Sequence, residues 1–176
     1  MAAGSSKLPE GVPEPTDLVH RLLRAERRSS AAAFRTRRRT EEDDAFIVEL
    51  GRRVFGEYDL DSARTTASLA RRGRTLVVCN EVQPLGFVIL EPPSGGAVYL
   101  SAIAVVDEAR GKGAGRALLR AAENLAAAEG ANRLELTTAD SNVAALELFL
   151  RSGFVRTASV GDYGRGQPAL RLLKRL

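Results

Sequence analysis

A chain of 176 residues with 44% hydrophobic and 27% charged residues has globular composition, which excludes a largely disordered protein. No apolar run approaches 18 residues, so no transmembrane helix is expected, and the Pro-rich N-terminus lacks the apolar stretch of a secretory signal. The net charge of +4 sits in residues 1–40, which hold nine basic and four acidic side chains, while the remainder holds 17 basic against 18 acidic. Aromatics are 5% and Trp is absent, so the basic stripe with interleaved aromatics of a nucleic-acid binder is missing. The single cysteine, Cys79, cannot close an internal disulfide, and with one histidine it forms no zinc cluster; no metal is expected. The expectation is a soluble, cytoplasmic, single-domain protein with no membrane or nucleic-acid partner.

Residues 1–33 are expected to be a flexible leader followed by an accessory helix from Thr16 to about Arg28. That helix has a narrow apolar face (Leu18, Val19, Leu22, Leu23, Ala25) and a basic opposite face, suited to docking on the domain or on a second copy of the chain. Residues 34–176 then read as mixed α/β. Ala33 to Arg38 is a short strand, and Thr40 with Asp43 resembles a capping box with Asp replacing Glu. Helices are expected over about Glu41–Phe55, with Phe46, Ile47, Leu50 and Val54 inward, and over Leu60–Arg72. Thr75–Cys79 and Leu85–Leu90 form a hairpin around a polar turn. Ala97–Val106 is nearly uncharged, as expected of a central strand covered on both faces. A helix over Gly115–Glu129, a strand over Asn132–Thr138, a helix over Asn142–Arg151 and strands over Phe154–Ser159 and Ala169–Lys174 complete the order β-α-α-β-β-β-α-β-α-β-β.

The chemistry is concentrated between Val105 and Arg116, where a strand runs into glycines that open a helix. Such a helix start presents unpaired N–H groups and the positive end of the helix dipole, a ready anion site. Residues 111–122 contain no acid but carry Lys112, Arg116 and Arg120. A tight turn would account for the glycines but not for cations placed where a helix ordinarily prefers acids. The phosphate loop of nucleotide hydrolases is excluded, because Lys112 is followed by Gly113 rather than Ser or Thr. The dinucleotide fingerprint fails too, since its third glycine would fall on Arg116 or Leu118.

At these residues the chain resembles the GNAT superfamily of acyl-CoA-dependent N-acetyltransferases. The family's Gln/Arg-x-x-Gly-x-Gly/Ala loop is matched by Arg110, Gly111, Lys112, Gly113, Ala114 and Gly115. A second pattern, Asn-x-x-Ala-x-x-Leu-Tyr-x-x-x-Gly-Phe, is matched by Asn142, Ala145, Leu148, Gly153 and Phe154, with Phe149 where Tyr is usual. The resemblance covers roughly Phe34 to Leu176 and implies a GNAT-like mixed central sheet flanked by helices.

It also implies transfer of an acetyl group from acetyl-CoA to a primary amine, on a small molecule or a peptide. The alternative is a non-catalytic acyl-CoA-binding domain acting through a protein partner. By resemblance, the N–H groups of residues 111–115 hold the pyrophosphate, with Arg110, Arg116 and Lys112 as phosphate contacts. Gly113 and Gly115 would leave room for the phosphates to approach. Ile103, Ala104 and Val105 would lie beside the acyl group, with the Val105 N–H as oxyanion donor. Asn142 either bonds the pantetheine arm or caps its helix. Phe149 would lie against the cofactor without the phenol that protonates the departing thiolate.

Tyr163, in a C-terminal loop, is the candidate acid, and Glu135 the candidate base. Weak base assistance favours a low-pKa acceptor. At pH 7 an α-amine near 7.8 is neutral about one time in seven, a lysine side chain near 10.4 roughly one in 2,500. Tyr58, Asp59 and Asp61 between the first helices are candidates for attracting that amine.

Overall fold

A computed structural model describes residues 34–56 and 62–176 of the chain. The leader, the helix expected over Thr16–Arg28 and the residues Tyr58, Asp59 and Asp61 lie outside the described residues.

The first described strand, β1 (Arg35–Arg38), is exposed at every position, as expected of a charged edge. The chain then turns at Thr40, whose N–H and hydroxyl both donate to Asp43 Oδ2, at 2.8 and 3.1 Å. This reciprocal turn opens a short 3-10 segment (Glu41–Asp43) that leads into helix α1 (Asp44–Phe55). The Arg37 guanidinium forks onto the Asp43 carboxylate at 2.6 and 2.8 Å, and Arg39 grips Asp44 at 2.5 and 2.8 Å. Helix α1 buries Ile47 and Leu50, while Phe46 and Val54 pack at the margin of that core. Helix α2 (Ser62–Arg72) approaches α1 closely at Gly51, where a Cβ would come within 2.7 Å of Thr66.

Strands β2 (Arg74–Cys79) and β3 (Pro84–Leu90) form the expected hairpin. Asn80 Oδ1 accepts from the Val82 and Gln83 N–H groups and shapes the turn. Strand β4 (Ala97–Val105), helix α3 (Ala114–Ala128), strand β5 (Arg133–Ala139) and helix α4 (Val143–Arg151) follow, each within a residue or so of expectation. The last two strands are longer than expected. Strand β6 (Val155–Gly164) and strand β7 (Gln167–Arg175) form a hairpin closed at Arg165 and Gly166, where the expected loop was placed. Asp162 builds its tip by accepting from the N–H groups of Gly164 and Gly166.

The seven strands are ordered β1-β2-β3-β4-β5-β7-β6. All neighbouring pairs are antiparallel except β4 and β5. Helices α3 and α4 cover one face over the larger core, with Leu118, Leu119, Leu146 and Phe149 against Val98, Leu100, Leu134 and Leu172. Helix α1 and the end of α2 cover the other face over β2 to β4, through Ile47, Leu50 and Ala70 against Val77, Phe87 and Ile89.

Two irregularities in β4 position the site. Leu90 pairs with Leu100 but Ile89 pairs with Ala102, so Ser101 is bulged out of register. Before the bulge, Val98 and Leu100 face α3; after it, Ala102 and Ala104 face α1. Further, β4 pairs with β5 only from Ala97 to Tyr99, opposite Arg133 to Glu135, although both strands continue well beyond. The sheet therefore opens as a fork above the Tyr99–Glu135 row. The expectation of a β4 covered on both faces is corrected: every second residue is only half-buried, because those positions line the fork and the sheet margin.

Candidate active site

The fork owes its chemistry to backbone direction. Val106 donates to Leu85 O of β3 at 2.9 Å, and antiparallel alternation then turns Val105 and Ile103 away from β3, toward the opening. Val105 N–H and C=O thus face the space that β5 would otherwise fill, and Val105 O accepts from Arg110 Nε at 3.2 Å. Ala104 instead bonds toward β3, and its methyl is buried in the α1-side core. Gly86 is pressed against this segment, since a Cβ there would meet Ala104 O at 2.5 Å.

Past the strand, a 3-10 turn (Asp107–Ala109) leads to the glycine loop. Gly111 and Gly113 adopt φ of +70° and +100°, conformations in which glycine is strongly favoured. The first bond of α3 runs from the Ala117 N–H to Gly113 O. Among the described residues the N–H groups of Gly113, Ala114, Gly115 and Arg116 have no acceptor, so they converge as an unsatisfied donor set at the positive end of α3. A Cβ at Gly111 or Gly113 would meet nothing within 4 Å, so the cradle is open.

The glycines divide their labour. Gly115 faces inward, and a Cβ there would lie 3.0 Å from Leu148 Cδ2 of α4. Its missing side chain serves helix packing rather than the open side of the cradle. Arg110 is turned back on the loop, with Nη1 2.9 Å from Asp107 Oδ1. Lys112 and Arg116 are exposed beside the cradle and form no ion pair among the described residues. Asn142 Oδ1 accepts from the Ala145 N–H at 3.1 Å, so it caps α4. Phe149 is 2% exposed and packs edge-to-face on Phe154 at a centroid distance of 5.6 Å, which accounts for an aromatic ring there.

Glu135 stands at the last paired row before the fork, opposite Tyr99 on β4 and Leu173 on β7. Its Oε1 accepts from Arg133 Nε at 2.7 Å. Tyr163 lies within β6 rather than in a loop, near the hairpin tip. Register shifts after Arg156, Ser159 and Asp162 interrupt the regular pairing of that hairpin. Burial, and secondarily Tyr99, push the Tyr163 phenol above the usual tyrosine range, so it holds its proton at neutral pH.

Three residues at the fork were not singled out from the sequence: Tyr99, Ser101 and Glu91. Ser101 Oγ donates to Glu91 Oε1 at 2.7 Å, and the Glu91 N–H donates to Tyr99 O at 2.8 Å. Only the bulge and the strand pairing bring them together, and neither leaves a sequence signal. Among the described residues no three acidic, histidine or cysteine side chains group to hold a metal, and no helix is long and apolar enough to cross a membrane.

Residues 31–154 match the family model described as the acetyltransferase (GNAT) family, so the chain belongs to that family. Structurally it resembles an IAA acetyltransferase from Bacillus cereus, at 26% identity and a TM-score of 0.70 over 81% of this chain and 99% of that one. It also resembles the ribosomal-protein-S18-alanine N-acetyltransferase from Escherichia coli, at 23% identity and a TM-score of 0.69 over 81% and 93%. A Bacillus subtilis acetyltransferase in complex with CoA has the same fold, at 21% identity and a TM-score of 0.66 over 81% and 99%. Among curated proteins no sequence match was found. The protein is an acetyltransferase, which displaces the non-catalytic alternative.

Proposed function

We propose that the protein transfers the acetyl group of acetyl-CoA to a primary amine of low pKa, on a small molecule or a peptide N-terminus. The observation that carries this reading is the donor set of residues 113–116, unsatisfied and flanked by Lys112 and Arg116, directly beyond an open fork. Acetyl-CoA supplies an activated thioester and an anionic handle, and the residues present fit both. Backbone N–H groups with adjacent cations suit a pyrophosphate, and the absence of side chains at Gly111 and Gly113 keeps the approach clear. Arg110 serves this loop chiefly by bracing it through Val105 O and Asp107.

In the fork, Val105 N–H is the donor for a carbonyl oxygen, held rigid by β4 and Gly86. Ile103 turns its own N–H and C=O toward the same opening, suited to an amide-bearing arm. Asn142, with Oδ1 committed to its cap, can still donate through its amide N–H groups. Phe149 has no hydroxyl, so the proton for a departing thiolate comes from Tyr163, whose phenol stays protonated to high pH. Glu135, at the fork, is the proton acceptor for the incoming amine, oriented by Arg133. Alignment of the amine against a fixed carbonyl supplies most of the acceleration. We place this activity in the cytoplasm, in residues 34–176, with residues 1–33 as an accessory segment that has a role in pairing two copies.

The test is thiol release from acetyl-CoA across a panel of amines: peptide N-termini, amino acid amides, polyamines and aminoglycosides. Product mass must show one added acetyl on nitrogen. Absence of thiol release above hydrolysis with every amine would reject the reading.

A further inference from the structure

Above Tyr99 the edge of β4 that faces the fork has no neighbouring strand, and Val105 O takes a side chain as its partner instead. The peptide between Val105 and Val106 is thereby held at both ends. Its N–H donates to Leu85 O of β3 at 2.9 Å, and its C=O accepts from Arg110 Nε at 3.2 Å on the fork side. Arg110 is long and exposed, so it braces this peptide only if it is itself held. Asp107 holds it. One carboxylate oxygen, Oδ1, lies 2.9 Å from Arg110 Nη1, while Oδ2 accepts from Arg53 Nη2 at 3.5 Å. Arg53 stands in the last turn of α1, a helix seated on the sheet by Ile47 and Leu50. A single carboxylate thus joins a helix, the brace and the end of β4.

By charge alone Asp107 opposes a pyrophosphate at the neighbouring glycine loop. Its electrostatic and bracing effects therefore push in opposite directions and can be read apart. Glu108, next in the chain and exposed, forms no ion pair among the described residues, so it carries the same charge without the brace.

We infer that Asp107 is a positioning residue for acetyl transfer: anchored by Arg53, it holds Arg110 on Val105 O and keeps the Val105 backbone aimed at the thioester carbonyl. This rests on the acetyl-CoA-to-amine reading above, with the Val105 N–H as donor to the carbonyl oxygen. Loosening Val105 costs more in the transition state, where that oxygen becomes an anion, than in the ground state, so the loss falls on kcat. Cofactor affinity moves the other way, because a negative charge has left the neighbourhood of the phosphates.

The test measures kcat with an amine that the wild type acetylates, and Kd for acetyl-CoA by calorimetry. The Arg53, Asp107 and Arg110 side chains are each more than half exposed, so their variants should keep the fold. Asp107→Asn preserves the shape but leaves one oxygen acceptor for two guanidinium groups. Its kcat should fall about five- to tenfold, well below the ~10² of deleting an oxyanion donor, while its Kd stays level or tightens. Glu108→Gln should match that Kd and keep the wild-type kcat. Arg53→Gln should lower kcat about two- to threefold, and Arg53→Lys, which restores the cation, should recover part of the loss. Asp107→Asn combined with Arg110→Met should cost no more than the costlier single change, since both interrupt one chain of contacts. An unchanged kcat in Asp107→Asn or Arg53→Gln, or an equal fall in Glu108→Gln, would overturn the inference while wild-type turnover keeps the acetyl-transfer reading intact. Losses that multiply in the double variant would overturn it likewise. No thiol release from the wild type with any amine would overturn both.

Discussion

Gly113→Ala offers a direct test of the phosphate cradle, because its two effects can be separated. Gly113 caps α3 at φ +100°, and a Cβ there would meet nothing within 4 Å, so the substitution brings strain without a clash. Strain of this kind costs about 1–3 kcal/mol. At about 2–4 °C per kcal/mol for a chain of this size, the melting temperature should fall by roughly 2–12 °C with the fold retained. Gly130, at φ +80° beyond the far end of the same helix and likewise without a neighbour within 4 Å, provides the control. Gly130→Ala should destabilise comparably. The two variants should part company when acetyl-CoA is added at about 100 times the wild-type Kd. Wild type and Gly130→Ala should each gain about 2.7 kcal/mol. In Gly113→Ala the methyl enters the cradle and tilts the donor set, and a tenfold loss of affinity would leave a gain of about 1.4 kcal/mol or less. Differential scanning fluorimetry with acetyl-CoA, NAD and ATP reads all of this, and only acetyl-CoA should give a large shift. Equal acetyl-CoA shifts in Gly113→Ala and Gly130→Ala would show that the loop does not hold the cofactor.

Gly115→Val should destabilise by about 1–3 kcal/mol through overpacking on Leu148, and Leu148→Ala should relieve part of that cost in a double-mutant cycle followed by urea denaturation. Arg37→Ala should cost about 1–2 kcal/mol. Asp43 is buried, but Arg37 is nearly half exposed and Thr40 still donates to Oδ2. Arg37 holds the Asp43 carboxyl below its ordinary range, so this stabilisation is full above pH 4 and lost as pH falls through the depressed value; Arg37→Ala should flatten that acid limb in urea titrations at pH 2–6. Tyr163→Phe should lower kcat by well under the ~10² of a full general acid, since a thiolate leaves readily, and should abolish the decline in rate above pH 10 expected of the wild type. A chain beginning at Ala32 should still fold and bind acetyl-CoA, as judged by its melting curve with and without the ligand.

The open set of backbone donors at the start of α3 was legible in the sequence because its physics is local. Left-handed backbone at Gly111 and Gly113, a helix start without acids, and cations at Lys112 and Arg116 all lie within six residues. The strands with strong apolar periodicity and the helices with clear ends were legible for the same reason. The fork was not. Tyr99 meets Glu135 through a parallel pairing that spans 36 residues and stops after three rows, and nothing in either strand's composition announces where it stops. The Ser101 bulge inverts the facing of every later residue in β4, so a strict alternation drawn through Ala97–Val106 puts Ala102 and Ala104 on the wrong side. The β6–β7 hairpin was shortened in the sequence reading because its tip is polar and exposed. Its pairing is maintained instead by β7, and by Asp162 folding the backbone around Gly164 and Gly166. The glycine loop is thus written in neighbouring residues and the fork in long-range pairing. Changes in strand register can therefore reshape the fork while the glycine loop and its helix stay as they are.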